Sequence, residues 1–235
     1  MSPKQLEDPG FYVGYQPRAS AAIRSWIRST VILLSVATVA IASTLVVAQA
    51  PFSPAFFEWG VEKTLRGKLI EFPYPMLIAD QGYFLLVGPG KHGVAELARG
   101  RDGAQVELKG SRIGNNLAFE VASIQALTSA SENPKPEIRS LGRMTLTGEI
   151  VDTKCHYGVM NPGSGKVHRD CAVRCISGGV PPGFLVRDAK GEVRTLLLTG
   201  MVISSLFDNI AIPVTLTGDL AAIGPQLIFK VDTMP

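Results

Sequence analysis

From Ser29 to Phe57 the chain carries no charged residue, and its centre, "TVILLSVATVAIASTLVVAQA" (Thr30–Ala50), is almost wholly apolar or small. A helix needs about 20 such residues to cross roughly 30 Å of hydrocarbon, so the segment is expected to span a membrane. A secretory signal peptide is the competing reading, because Ala48-Gln49-Ala50 has the small-x-small form of a cleavage site. The 28-residue leader and Pro51 directly after the candidate site favour an uncleaved anchor. So does the run itself, which exceeds the roughly 7–15 residues of a signal core.

Orientation follows from the flanks. Arg18, Arg24 and Arg28 lie hard against the entry, whereas the first basic residue beyond Ala50 is Lys63. The positive-inside rule then predicts a cytoplasmic segment 1–28, a span 29–50 and the bulk of the chain on the far side. Trp26 suits the interfacial belt at the entry, and Phe52, Phe56, Phe57 and Trp59 suit it at the exit; packing in the next domain is the other role open to Trp59. In a bacterium this is a single-pass inner-membrane protein with its bulk in the periplasm, where cysteines meet an oxidising compartment.

Hydrophobic residues make up 46% of the 235 and charged ones 18%, but the span inflates the first figure. The formal charge of +3 is spread evenly, without the clustered Lys and Arg of a nucleic-acid footprint.

Beyond the span, short apolar runs punctuated by Gly, Pro and Asn read as strands and turns. Strands are expected near 63–71, 83–88, 104–110 and 116–122, and again near 144–152, 183–188, 192–198, 212–218 and 226–232. "LTSASENPKPEIRS", with its prolines and serines, reads as a linker. "DAKG" (Asp188–Gly191) is expected to close a hairpin. "VELKGSRIGNNLAFEV" (Val106–Val121) resembles "VTLTGDLAAIGPQLIFKV" (Val214–Val231), which points to an internal repeat. The expected fold is mainly β: the transmembrane helix, then two small OB-like barrels at 51–126 and 142–235 joined by a linker at 127–141. "MVISSLF" (Met201–Phe207) takes the place of the helix before the last two strands of the second barrel.

"KCHYGVMNPGSGKVHRDCAVRC" (Lys154–Cys175) holds all three cysteines and two of the three histidines. Lys166–Ser177 has helical spacing and meets a stop at Gly178-Gly179 followed by Pro181-Pro182. On that helix His168, Cys171 and Cys175 are spaced i, i+3, i+7 and share a face; Cys155 and His156 arrive from the preceding strand. Four readings of this cluster differ in what they demand. A disulfide from Cys155 to Cys171 or Cys175 would leave one thiol over. A zinc or copper site would draw on Cys155, His168, Cys171 and Cys175, with His156 as a fifth candidate, although the spacing matches no standard zinc module. Covalent haem needs Cys-x-x-Cys-His, which "CAVRCI" lacks. Thiol–disulfide catalysis favours Cys-x-x-Cys at a helix N-terminus, and here the pair is Cys-x-x-x-Cys inside a helix.

"GPGKHG" (Gly88–Gly93) lacks the P-loop pattern and reads as a tight turn. There is no Gly-x-Ser-x-Gly, no His-Glu-x-x-His and no acid pairing suited to general acid–base work, so nothing in the sequence demands an enzyme.

"GEIVDTKCHYGVMNPG", "HRDCAVRCISGG" and "PPGFLV" together resemble the cysteine-bearing part of uncharacterised bacterial single-pass membrane proteins with an extracytoplasmic β domain. The resemblance implies a bacterial, membrane-anchored setting and no particular activity. The leading functional expectation is a noncatalytic accessory or assembly subunit, docking onto other membrane proteins of a redox or respiratory complex. The alternatives are a periplasmic zinc or copper protein or thiol-redox protein using the cluster, and an envelope-binding OB module.

Overall fold

The computed structural model describes residues 19–49, 56–115, 117–127, 136–188 and 190–232. It divides into two compact units, Met1–Pro51 and Phe52–Pro235. The expected cytoplasmic stub falls, up to residue 18, outside the described residues, as does 128–135 of the expected linker.

The first unit is one helix, α1 (Ala21–Ala48), opened by Ser20, whose side chain accepts a hydrogen bond from the Ile23 N–H. At 1.5 Å per residue it is about 42 Å long, enough to cross a bilayer core. No residue of it is buried, and large apolar side chains from Val31 to Val47 stand exposed. Two of its hydroxyls bond within the helix: Thr38 donates to the Leu34 carbonyl and Thr44 to that of Ala40. Both properties suit hydrocarbon, where an unpaired polar group is costly.

The second unit holds two closed five-stranded barrels. The first comprises β1 (Lys63–Ile70), β2 (Met76–Ala79), β3 (Gly82–Val87), β4 (Gln105–Ile113) and β5 (Ala118–Ala126), in the closed order β1-β2-β3-β5-β4. The second comprises β6 (Ile138–Asp152), β7 (Pro182–Arg187), β8 (Val193–Thr199), β9 (Pro213–Ile223) and β10 (Gln226–Val231), and β6-β7-β8-β10-β9 repeats that order. The two similar stretches of sequence fall on β4–β5 and β9–β10. A short α2 (Ala95–Ala98) precedes β4, and a 3-10 segment (Ile203–Asn209) holds the equivalent place before β9. The Gly191 N–H bonded to the Asp188 carbonyl closes the expected hairpin.

Two strand assignments differ from the sequence expectation. β2 is absent from it, because Pro73 and Pro75 crowd a four-residue run. β6 starts at Ile138, inside the expected linker, because Ile138–Ser140 extend the pairing with Ala221–Ile223 of β9.

Each barrel has its own core, lined by alternate residues of its strands. Leu65, Leu69, Phe84, Leu86, Leu108 and Phe119 fill the first. Ile150, Phe184, Leu198, Leu216 and Phe229 fill the second, where the rings of Phe184 and Phe229 stack at 6.2 Å. A third cluster lies between the barrels. Each barrel closes with a parallel pair, β3 with β5 and β8 with β10. Leu86 and Phe119 point into the first barrel while their neighbours Leu85, Val87 and Ala118 point out. Likewise Leu198 and Phe229 point into the second, while Leu197 and Ile228 point out. The outward sets pack together, so these strands are buried on both faces, which explains the unbroken apolar runs "YFLLV" and "LLL". Cys155, Tyr157, Cys175 and Val180, from the segment linking β6 to β7, complete this cluster.

Candidate metal and thiol centre

The β6–β7 connection begins with a π turn at Cys155–Val159, passes a loop and a 3-10 turn (Lys166–His168), and continues as α3 (Arg169–Ser177). The helix stops where the sequence predicts: the N–H of Gly178 bonds the Arg174 carbonyl and that of Gly179 the Ile176 carbonyl. Gly179 takes φ +92°, the left-handed backbone that favours glycine.

The expected convergence occurs for four of the five residues. Cys155 Sγ lies 3.9 Å from Cys171 Sγ and 4.0 Å from Cys175 Sγ, and all three cysteines are free thiols. Among the described residues two ligand groups form, Cys155–His168–Cys171 and Asp152–Cys155–Cys175, each with its donor atoms within 4.8 Å of one another. Cys155 belongs to both. His156 belongs to neither; it lines a cavity of about 570 Å³ with Gly114, Leu117, Met160, Asn161 and Arg187. Burial there pushes its imidazole below the ordinary 6.5.

Three residues that the sequence reading passed over organise the centre. Asp152, at the end of β6, is fully buried; its Oδ1 accepts the Cys155 N–H at 2.8 Å and its Oδ2 meets His168 Nε2 at 2.9 Å. Burial works against the Asp152 anion, but the hydrogen bonds from His168 and from the Cys155 N–H outweigh it and hold the carboxyl below 3.8. Asp-x-x-Cys is the spacing at which a carboxylate caps a turn, and that was the legible signal.

Lys91 comes from the other barrel. Its Nζ donates to Cys171 Sγ at 2.7 Å and lies 4.0 Å from Cys175 Sγ. The hydrogen bond to Cys171 raises the lysine. The thiols polarise one another: donation to Cys175 and burial push Cys155 well up, while that same bond, helped by Lys91, pulls Cys175 below 9.0.

Lys154 fixes the loop that carries Lys91. Its side chain, 2% exposed, donates to the carbonyls of Gly88 and Gly90 at 2.7 and 2.6 Å and pairs with Glu120 at 2.5 Å. From the other side the Gly93 N–H bonds the Gly178 carbonyl, and a Cβ on Gly178 would stand 2.0 Å from the Lys91 carbonyl oxygen. "GPGKHG" is thus a turn, as expected, and also the route by which one barrel reaches the thiols of the other.

The donor set fits a tetrahedral ion. Zinc–sulfur bonds of about 2.3 Å imply sulfurs about 3.8 Å apart, against the observed 3.9 Å. Asp152 holds Nε2 of His168, so an ion at this site would take Nδ1 of that ring, with the carboxylate as the outer support usual for a metal-ligating imidazole. No family model, curated protein or solved structure matches the chain.

Proposed function

We propose that the chain is a membrane-anchored protein whose two-barrel unit holds one zinc or copper(I) ion. Cys155, His168 and Cys171 are its ligands, with Cys175 completing the set and Asp152 bracing His168. The observation that carries this reading is the near-tetrahedral spacing of Cys155 and Cys171, with His168 in the same group and braced by Asp152. Thiolates select copper(I) and zinc by softness, and imidazole suits both. Arg18, Arg24 and Arg28 at the entry to the apolar run support a periplasmic placement of the barrels, and two docked barrels on an anchor suit an accessory subunit of a membrane redox complex. Titration of the reduced full chain in detergent with zinc(II) and copper(I), against a chromophoric chelator, tests the reading. One equivalent bound more tightly than micromolar is expected; no competition with the chelator contradicts it.

A second reading rests on Lys91. An ammonium against Cys171, the more open of the three thiols, suits thiol–disulfide exchange. The Cys171 thiolate attacks a partner protein's disulfide and expels one thiolate. Cys155 then displaces the second, so that the partner leaves as a dithiol and Cys155–Cys171 remains oxidised. Closing 3.9 Å to the ~2.05 Å of an S–S bond takes about 2 Å of movement. A thiol count of one and no metal, in protein prepared without reductant, would favour this reading.

A further inference from the structure

We infer that the two-barrel unit docks onto the surface of the bilayer that anchors it, through an apolar patch of Phe56, Trp59, Val61, Leu117 and Met160. The inference rests on the reading of α1 as a membrane span and is independent of what the thiol centre binds. Trp59 is 81% exposed and the other four are 45–51% exposed, outside the barrel cores their residue types would suit. Packing therefore does not account for Trp59.

These residues are adjacent through the backbone. The Gly114 N–H bonds the Phe56 carbonyl, the Leu117 N–H bonds the Gly114 carbonyl, and Phe57 bridges Ile113. A Cβ on Gly158, two residues before Met160, would stand 2.6 Å from the Phe56 carbonyl oxygen. The Val61 N–H bonds the Glu58 carbonyl, which turns the chain at Trp59–Gly60. Segment 56–61 is thus held against the β4–β5 turn and the π turn by its main chain, with Phe57 packed inward and Phe56, Trp59 and Val61 left outward. Exposed apolar groups gathered in this way mark an interaction site.

Chain connectivity identifies the occupant. Eight residue steps separate Ala48 from Phe56 and span at most about 29 Å, so segment 56–61 of the patch is the described part of the two-barrel unit closest along the chain to the end of α1. Its makeup, one Trp and one Phe with three aliphatic or thioether side chains, is that of an interfacial belt, and the charged residue within segment 56–61, Glu58, is half-buried and pairs with Lys63. Leu117 and Met160 also line the cavity beside His156, so docking sets the mouth of that cavity at the lipid surface.

The chain has two tryptophans, Trp26 and Trp59, so Trp26→Phe leaves Trp59 as the sole reporter. The probe is the full chain in phosphatidylcholine–phosphatidylglycerol vesicles, with and without lipids brominated high on the acyl chain. Docking predicts blue-shifted Trp59 emission, at least twofold quenching by bromolipid and poor access for iodide. Adding Leu117→Ser and Met160→Ser, both at exposed positions that leave the cores intact, is expected to restore most of the emission and the access for iodide. Water-like emission indifferent to bromolipid overturns the proposal and leaves another protein as the occupant. Quenching that survives the two serine substitutions also overturns it, because tethering alone then brings Trp59 to the lipid. Protein washed free of the vesicles overturns the anchor and the docking together.

Discussion

The ammonium of Lys91 lies 2.7 Å from the sulfur of Cys171, a pair 80 residues apart in sequence that joins the two barrels. The thiol centre is therefore complete only when the barrels are docked, and what holds the Lys91 loop governs the chemistry of the cysteines.

Lys91→Met tests the electrostatic part of this relationship. Lys91 is exposed, so its loss is expected to change stability by no more than about 0.5 kcal/mol. Its charge helps hold Cys175 below 9.0, so the variant shifts the first thiolate titration to higher pH. Ultraviolet thiolate absorbance against pH reads the shift; an unchanged curve contradicts it.

Lys154→Met removes the buried cation that ties β6 to Glu120 and to the carbonyls of Gly88 and Gly90. Breaking a buried pair by removing one partner costs roughly 3–5 kcal/mol, and the partial exposure of Glu120 puts this case near the lower end. Denaturant unfolding measures the loss. A fall below about 1 kcal/mol would mean that the Lys154 pair does not hold the loop.

Gly178→Ala acts on the opposite face of that loop. Its Cβ would meet the Lys91 carbonyl oxygen at 2.0 Å, backbone against backbone, so the loop must withdraw. The expected cost is about 1–3 kcal/mol, with Lys91 drawn off the thiols. The thiolate titration should then resemble that of Lys91→Met.

Asp152 gives the pH dependence. Its carboxyl is held below 3.8 in the folded chain, so it contributes stability above the unfolded-state value that is lost as pH falls through the lower folded one. Thermal midpoints should therefore drop steeply below about pH 4. Asp152→Asn is expected to cost about 1–3 kcal/mol at neutral pH and to flatten that slope. Equal slopes in both proteins would rule Asp152 out as the source.

Much of the fold was legible because it rests on local pattern. The alternation in "PVTLTGDLAAI" and the Gly-containing turn after it mark β9–β10 wherever the rest of the chain lies, and the copy in β4–β5 marks the repeat. The doubled apolar residues Leu85-Leu86 and Leu197-Leu198 are the trace of strands covered on both faces, and the sequence reading took them only as strands. In the site, α3 and its stop follow from spacing and Gly178-Gly179, so the shared face of His168, Cys171 and Cys175 was readable. Lys91 was not, because its partner is set by barrel docking, a long-range contact with no periodic trace. Lys154 was hidden for the same reason: lysines are almost never fully buried, and only the Gly88–Gly93 loop makes its burial tolerable. Trp59 stayed ambiguous because an interfacial and a core aromatic look alike in sequence, and its exposure in the structure excludes the core.

The central claim is that Cys155 is the ligand shared by a metal centre. Its most direct test is the metal content of the full chain, extracted in mild detergent without chelator or reductant, beside Cys155→Ser prepared in the same way. The account predicts close to one equivalent of zinc or copper in the wild type, three thiols released on denaturation with chelator, and near-complete loss of metal in Cys155→Ser. A metal-free wild type with one disulfide and one thiol would contradict it.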